Sequence, residues 1–211
     1  MKKIIVFGAS GGTGIEVVKL SLAGDHEVTA VVRKPDAFTL RHPKLTVTKG
    51  DVMDPPSFID TMKGRDIVVS AIGNRSTKPT TLYSTGTRNI LYAMQAQDIK
   101  RFIGITAGAL DTNPAMGFFI RTLTKLVLQK ILQEPYADMR LMESGLFQSN
   151  TDYMIMRPAM LKDKPLTGRY RTAINGHIEV PFSIARADVA HYITTHLEDP
   201  QTFRSIVEIA Y

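Results

Sequence analysis

The sequence predicts an α/β protein, a doubly wound parallel sheet in a single three-layer domain spanning residues 1–211. Three observations carry that prediction. The chain opens with an apolar run, Ile4 to Phe7, that passes directly into glycines at three-residue spacing, Gly8, Gly11 and Gly14. Similar short runs, suited to strands buried on both faces, recur along the chain and alternate with helical patterns. A chain of 211 residues without repeats or low-complexity stretches can also bury one substantial core.

The first strand, Ile4 to Phe7, feeds a helix over Ile15 to Leu22 through the glycine-rich turn. In a Rossmann-type unit, such a turn binds the pyrophosphate of a dinucleotide. Gly8 permits the sharp turn, Gly11 lets the backbone approach the phosphates, and Gly14 lets the helix pack close to the strand. Ser10, Gly12 and Thr13 belong to the same loop, and the helix N-terminus offers free N–H groups and partial positive charge to the anion. The same residues contain a rival motif. Gly8-Ala9-Ser10-Gly11-Gly12 fits the G-x-S-x-G elbow of serine hydrolases, with His177, His191 and His196 downstream. That elbow follows a central strand well inside its sheet and leaves Gly14 without a purpose. Dinucleotide binding is therefore the expectation.

Glu27 to Val32 reads as the second strand, Leu45 to Lys49 as the third, Ile67 to Ala71 as the fourth and Phe102 to Thr106 as the fifth. Ser84 to Gln97 has helical spacing, with Ile90, Leu91 and Met94 on one face. Gly117 to Gln133 is basic and apolar together, with Arg121, Lys125 and Gln129 opposite Leu123, Leu126, Val127 and Ile131. A helix flanking the substrate cleft explains it better than a membrane-surface helix, because its apolar face is needed for packing. Tyr153 to Met156 is a sixth strand ended by Pro158. Ala187 to Leu197 is a late helix, with Ser183 as its cap and Asp188 complementing the first-turn dipole, and Ser205 to Ala210 closes the sheet.

Composition narrows the function classes. The net charge of +6 is dispersed, with no basic run or aromatic-interleaved motif, so no nucleic-acid partner is expected. The apolar segment after Met1-Lys2-Lys3 ends at Gly8, too short for a signal peptide. No segment approaches the ~18 apolar residues of a membrane span, so no membrane partner is expected either. With no cysteine, thiol nucleophiles, thiolate metal sites and disulfides are excluded, which suits a reducing, cytoplasmic location. His191 and His196 miss the i, i+4 spacing of paired ligands and no HExxH occurs, so no metal is expected.

Ligands of open parallel sheets bind beyond the carboxyl ends of the strands. Arg33-Lys34 follows the second strand, where a guanidinium pairs with a 2′-phosphate, so NADP(H) is expected over NAD(H). Asp51-Val52 follows the third strand and Ile72-Gly73-Asn74-Arg75 the fourth. Thr106-Ala107-Gly108 lies at the end of the fifth and Arg157-Pro158-Ala159 at the end of the sixth.

The set GASGGTG, VVRKP, GDVMD, SAIGNRS, RFIGITAGA, MIMRPAML and PLTGRY resembles the atypical short-chain dehydrogenases/reductases. The similarity is strongest to the flavin reductase/biliverdin-IXβ reductase group and its NAD(P)H-binding, NmrA-like relatives. It runs from Met1 to about Ala190, and GNRSTKPTT followed by GTRNILYAM is its most specific part. The resemblance implies that Gly8 to Gly14 hold the pyrophosphate and Arg33 the 2′-phosphate. It also implies Asp51 and Val52 beside the adenine, Gly73 and Arg75 near the inner phosphate or ribose, and Pro158 flanking the nicotinamide.

The departures bear on chemistry. Short-chain dehydrogenases that reduce ketones use the tyrosine of Tyr-x-x-x-Lys as an acid, and the nearest match is Tyr136-Ala-Asp-Met-Arg140. The flavin reductase group has a serine where this chain reads Thr106-Ala107-Gly108, and a histidine where it has Ala159 and Met160. Thr106 and Tyr136 are thus the remaining catalytic candidates. A flavin or quinone tolerates the loss, since its reduced anion is far less basic than an alkoxide and solvent can protonate it. Met116, Phe118, Phe119 and Met160 are candidates to line an apolar cleft for a flat ring, formed by segments of about 107–140 and 157–185. The expectation is an NADPH-dependent reductase of a small-molecule acceptor, a flavin, quinone or similar conjugated ring. The alternative is a non-catalytic NADP(H)-binding sensor or regulator of the NmrA-like kind.

Overall fold

Strand β1 (Lys3–Phe7) is wholly buried from Ile4 onward because it lies inside the sheet, with a parallel strand on either side. The structure, a computed structural model, describes residues 1–74, 76–110 and 131–211. After β1 come α1 (Gly12–Ala23), β2 (Glu27–Val32), β3 (Leu45–Lys49), β4 (Ile67–Ser70), α2 (Leu82–Ala96) and β5 (Arg101–Ile105). They are followed by α3 (Gln133–Gln148), β6 (Asp152–Pro158), β7 (Met160–Lys162), β8 (Arg171–Ile174), β9 (Ser183–Ala185), α4 (Arg186–Thr195) and β10 (Ser205–Ala210). The main sheet has the order β3-β2-β1-β4-β5-β6-β10-β8, parallel throughout except for β8, which runs antiparallel to β10. β7 and β9 form a separate parallel pair.

Alternation along the strands divides the core in two. Ile4, Val6, Val69, Ile103 and Met154 face α1 and α4, which pack against each other. Ile5, Phe7, Val68, Phe102 and Ile155 face α2 and α3, likewise packed together. Each face is closed by a helix pair, which is the doubly wound arrangement the apolar strands imply. The chain turns one way from β1 to β2 and β3, then returns to place β4 on the other side of β1. This reversal opens a crevice at the carboxyl ends of β1 and β4, bridged where Ala71 N–H donates to the Phe7 carbonyl at 2.9 Å.

Several expectations need correction. Ser205 to Ala210 does not close the sheet, because β8 forms the edge beyond it. Ser183 is not the cap of the late helix. It lies in β9, the cap position is Ala185, and no side chain bonds there. Asp188 does more than complement a dipole, since its carboxylate accepts from Thr167 N–H (3.0 Å), Gly168 N–H (2.8 Å) and the Tyr211 hydroxyl (2.6 Å). It thereby ties the 167–168 turn to the C-terminal residue. The helix α3 was not anticipated at all. The expected helix over 117–133 lies almost wholly outside the described residues, as do Met116, Phe118, Phe119 and Arg75. Among the described residues, no helix is long and apolar enough to cross a membrane.

Candidate functional site

The three glycines after β1 serve different ends. Gly8 has φ +72°, and a Cβ on it would lie 2.5 Å from the Ala71 carbonyl oxygen of the neighbouring strand end. A Cβ on Gly14 would come within 2.2 Å of the Gly8 oxygen, so α1 reaches the turn only because no side chain intervenes. Gly11 is less constrained by the fold, its nearest obstacle being the Gly8 oxygen at 3.2 Å. Helical bonding begins with Ile15 N–H to the Gly11 carbonyl at 2.9 Å. The N–H groups of Gly12, Thr13 and Gly14 therefore precede the ladder and are aligned for an anion.

A cleft of about 610 Å³ crosses the carboxyl ends of the strands over this loop. Gly8, Ser10, Gly11, Gly12 and Thr13 line its middle, and Gly14, next in the helix, is buried. Arg33, Asp51 and Val52 line one end, and Arg33 is exposed there without a carboxylate partner among the described residues. Lys34 is exposed too but is not part of the lining. The Asp51 carboxylate accepts from Met53 N–H at 3.0 Å, and Asn89 Nδ2 donates to the Val52 carbonyl at 2.8 Å, fixing the loop above α2.

Ile72 and Gly73 line the centre of the cleft with Tyr83, whose hydroxyl accepts from Asn74 N–H at 3.0 Å. Burial pushes the Tyr83 phenol pKa up. Tyr83 is held from α3. The Asp138 carboxylate accepts from Tyr83 N–H (2.8 Å) and Ser84 N–H (3.1 Å), capping α2 where Thr81 makes no capping bond.

Thr106 and Tyr136 come together at the other end of the cleft. Thr106 donates its hydroxyl to Glu143 Oε1 at 2.8 Å. Arg157 donates from Nε to the same oxygen at 3.0 Å and from Nη2 to Oε2 at 2.5 Å, and all three side chains are buried. The Thr106 proton is thus committed to a carboxylate, which leaves its oxygen as an acceptor. Tyr136 stands on α3 about two turns before Glu143, and burial raises its phenol pKa, with Arg140 acting in the opposite direction. The Arg140 guanidinium, four residues on, donates to the Leu110 carbonyl.

Beyond this end opens a second, mainly apolar pocket of about 400 Å³. Thr106, Ala107, Leu132, Tyr136 and Leu161 line both cavities, so the two adjoin. Pro158, Ala159 and Phe182 form further walls, and Met160 (59% exposed) and Phe182 (67% exposed) stand at the mouth. Sequence reasoning anticipated Met160 there and missed Phe182. It also missed Tyr83, Asp163 and Arg186 in the cleft. The hydrolase alternative finds no support: His177 bonds Glu208, His191 bonds Tyr170, and His196 bonds the Tyr192 carbonyl.

The arrangement suits an elongated ligand with a cation-seeking group at one end, an anion at its centre and a flat ring at the other. Residues 8–200 match the model of the family described as NAD(P)H-binding. An uncharacterized chloroplastic protein of Arabidopsis thaliana is 28% identical, the match covering 79% of this chain and 62% of that protein. A candidate epimerase of Bacteroides thetaiotaomicron aligns with TM-score 0.83 at 27% identity, over 100% of this chain and 97% of that one. ChuY, an anaerobilin reductase from Escherichia coli O157:H7, aligns with TM-score 0.75 at 25% identity, over 99% and 96%. A short-chain dehydrogenase/reductase of Veillonella parvula in complex with NADP shares the fold at TM-score 0.82 and 18% identity, over 100% and 94%.

Proposed function

The chain belongs to the NAD(P)H-binding family, and from that premise we propose that it is an NADPH-dependent reductase of a flavin, quinone or similarly flat conjugated acceptor. The observation that carries this reading is the apolar pocket adjoining the cleft at Thr106 and Tyr136, beside which no side chain among the described residues is tuned as a proton donor. An acid works best with a pKa near the operating pH. Tyr136 is shifted away from that range by burial, and the Thr106 hydroxyl donates its hydrogen bond to Glu143. A ring acceptor needs positioning rather than a strong acid, and the pocket offers it a surface of Ala107, Pro158, Met160 and Phe182.

In this reading the loop Gly8 to Thr13, with Gly14 next in the helix, receives the pyrophosphate at the N-terminus of α1. Arg33 pairs with the 2′-phosphate, and Asp51 and Val52 border the adenine. Ile72 and Gly73 border the ribose, and Thr106 and Pro158 flank the nicotinamide. Bound NADPH supplies the hydride. The Thr106 oxygen, fixed by Glu143 and Arg157, is an acceptor for an amide N–H at that end of the cleft. Leu132, Leu161 and Phe182 give the ring an apolar wall. A reductase named for anaerobilin shares this fold, in line with reduction as the chemistry.

The test is NADPH oxidation by the purified protein with FMN, menadione or a simple aliphatic ketone. Turnover is expected with a ring acceptor and not with the ketone. Tyr136→Phe should keep activity within a few-fold, because no general acid is removed. A loss on the order of 10²-fold, the usual contribution of a positioned acid, would contradict the mechanism. NADPH binding without oxidation by either ring acceptor would favour a non-catalytic NADP(H) sensor.

A further inference from the structure

Arg186 occupies the cleft although no motif pointed to it. β9 pairs with β7, matching Leu161 with Ile184 and Lys162 with Ala185, and this register sets Arg186 beside Asp163. Asp163 Oδ1 accepts from Arg186 Nε at 3.1 Å. The aspartate is 87% exposed and the arginine 28%, so the pair spans from solvent into the cleft. The arginine stem lies against the glycine loop. A Cβ on Gly12 would meet Arg186 Nε at 2.5 Å and Cδ at 2.7 Å. Arg186 Nη1 is buried and has no hydrogen-bond partner among the described residues.

A buried guanidinium nitrogen with no acceptor is costly unless a ligand brings one. It stands beside the first residue of α1, where the free N–H groups and the helix dipole already favour an anion. Gly12 lacks a side chain at the point where this arginine packs, so loop and guanidinium fit as two parts of one site. We propose that Arg186 is a binding residue for the pyrophosphate, donating from Nη1 while Asp163 fixes the guanidinium through Nε. The inference rests on the dinucleotide reading above and adds a charged wall to it. Arg33 addresses a phosphate that only NADPH carries. Arg186 addresses one common to NADPH, NADH and ADP-ribose, so the two arginines separate by ligand.

Calorimetric titration of wild type and Arg186→Gln with NADPH, NADH, ADP-ribose and adenosine 2′-monophosphate tests the assignment. Losing a charge-assisted hydrogen bond should weaken the first three by about tenfold or more. The NADPH/NADH ratio should hold, and adenosine 2′-monophosphate, which has no pyrophosphate, should bind within about twofold. Unchanged affinity for all three pyrophosphate ligands overturns the inference while leaving the dinucleotide reading intact. So does an equal loss for adenosine 2′-monophosphate, which marks a general effect on the cleft. Failure of the wild type to bind either dinucleotide overturns both. Should Arg186→Gln not fold, Arg186→Lys, which keeps the charge but loses the fork, is read by the same ligand pattern.

Discussion

Arg33→Asp is expected to turn the nucleotide preference from NADPH toward NADH. Arg33 lines the end of the cleft beyond β2, exposed and held by no carboxylate of the described chain. Charge-assisted bonds from its guanidinium to a 2′-phosphate should contribute roughly 1.5–3 kcal/mol. An aspartate loses those bonds, repels the phosphate and can accept from the ribose hydroxyls of NADH. The NADPH/NADH affinity ratio should therefore fall at least about tenfold, since ~1.4 kcal/mol is one decade. Lys34 lies outside the lining, so the single variant should produce most of the change. Replacing both residues is the stricter form. Titration of both nucleotides against both variants checks it, and a double variant that keeps its NADPH preference makes Arg33 a surface residue.

The second large effect is on stability. Glu143→Gln is expected to destabilise the fold by about 3–5 kcal/mol, the range for breaking a buried ion pair from one side. The Glu143 carboxylate accepts from Thr106 Oγ1, Arg157 Nε and Arg157 Nη2, with all three side chains buried between α3, β5 and β6. Glutamine nearly preserves the volume, so packing alone should change little. The buried guanidinium would lose the charge of its Glu143 partner. For a chain of this size the melting temperature should drop on the order of 10 °C. A drop of a degree or two would mean that the pair contributes little beyond its packing.

The sequence was most informative where one local pattern decides the structure. Ile4 to Phe7 and Glu27 to Val32 are apolar because both faces of the sheet are covered, and both strands form where the pattern put them. Gly8 and Gly14 were legible because backbone approach leaves no room for a Cβ. The edge strand β8 was not, since Arg171 to Ile174 is mostly exposed and carries no burial pattern. β7 and β9 are three residues each and pair only with one another, too short to show a period. Within Tyr136 to Arg140, attention to the Tyr-x-x-x-Lys spacing hid Asp138, which caps a different helix. Arg186 depends on the pairing of two distant segments, and a sequence pattern cannot express that. The strand ends thus gave the cleft lining well and its second wall poorly.

Anaerobic rapid mixing of the protein–NADPH complex with FMN tests the central claim most directly. Nicotinamide absorbance and oxidised-flavin absorbance should fall together, at a rate that grows with protein concentration. Deuterium at the transferred C4 position of NADPH should slow both. A complex that forms normally, yet leaves FMN and then menadione oxidised as long as buffer does, would contradict hydride transfer by this protein.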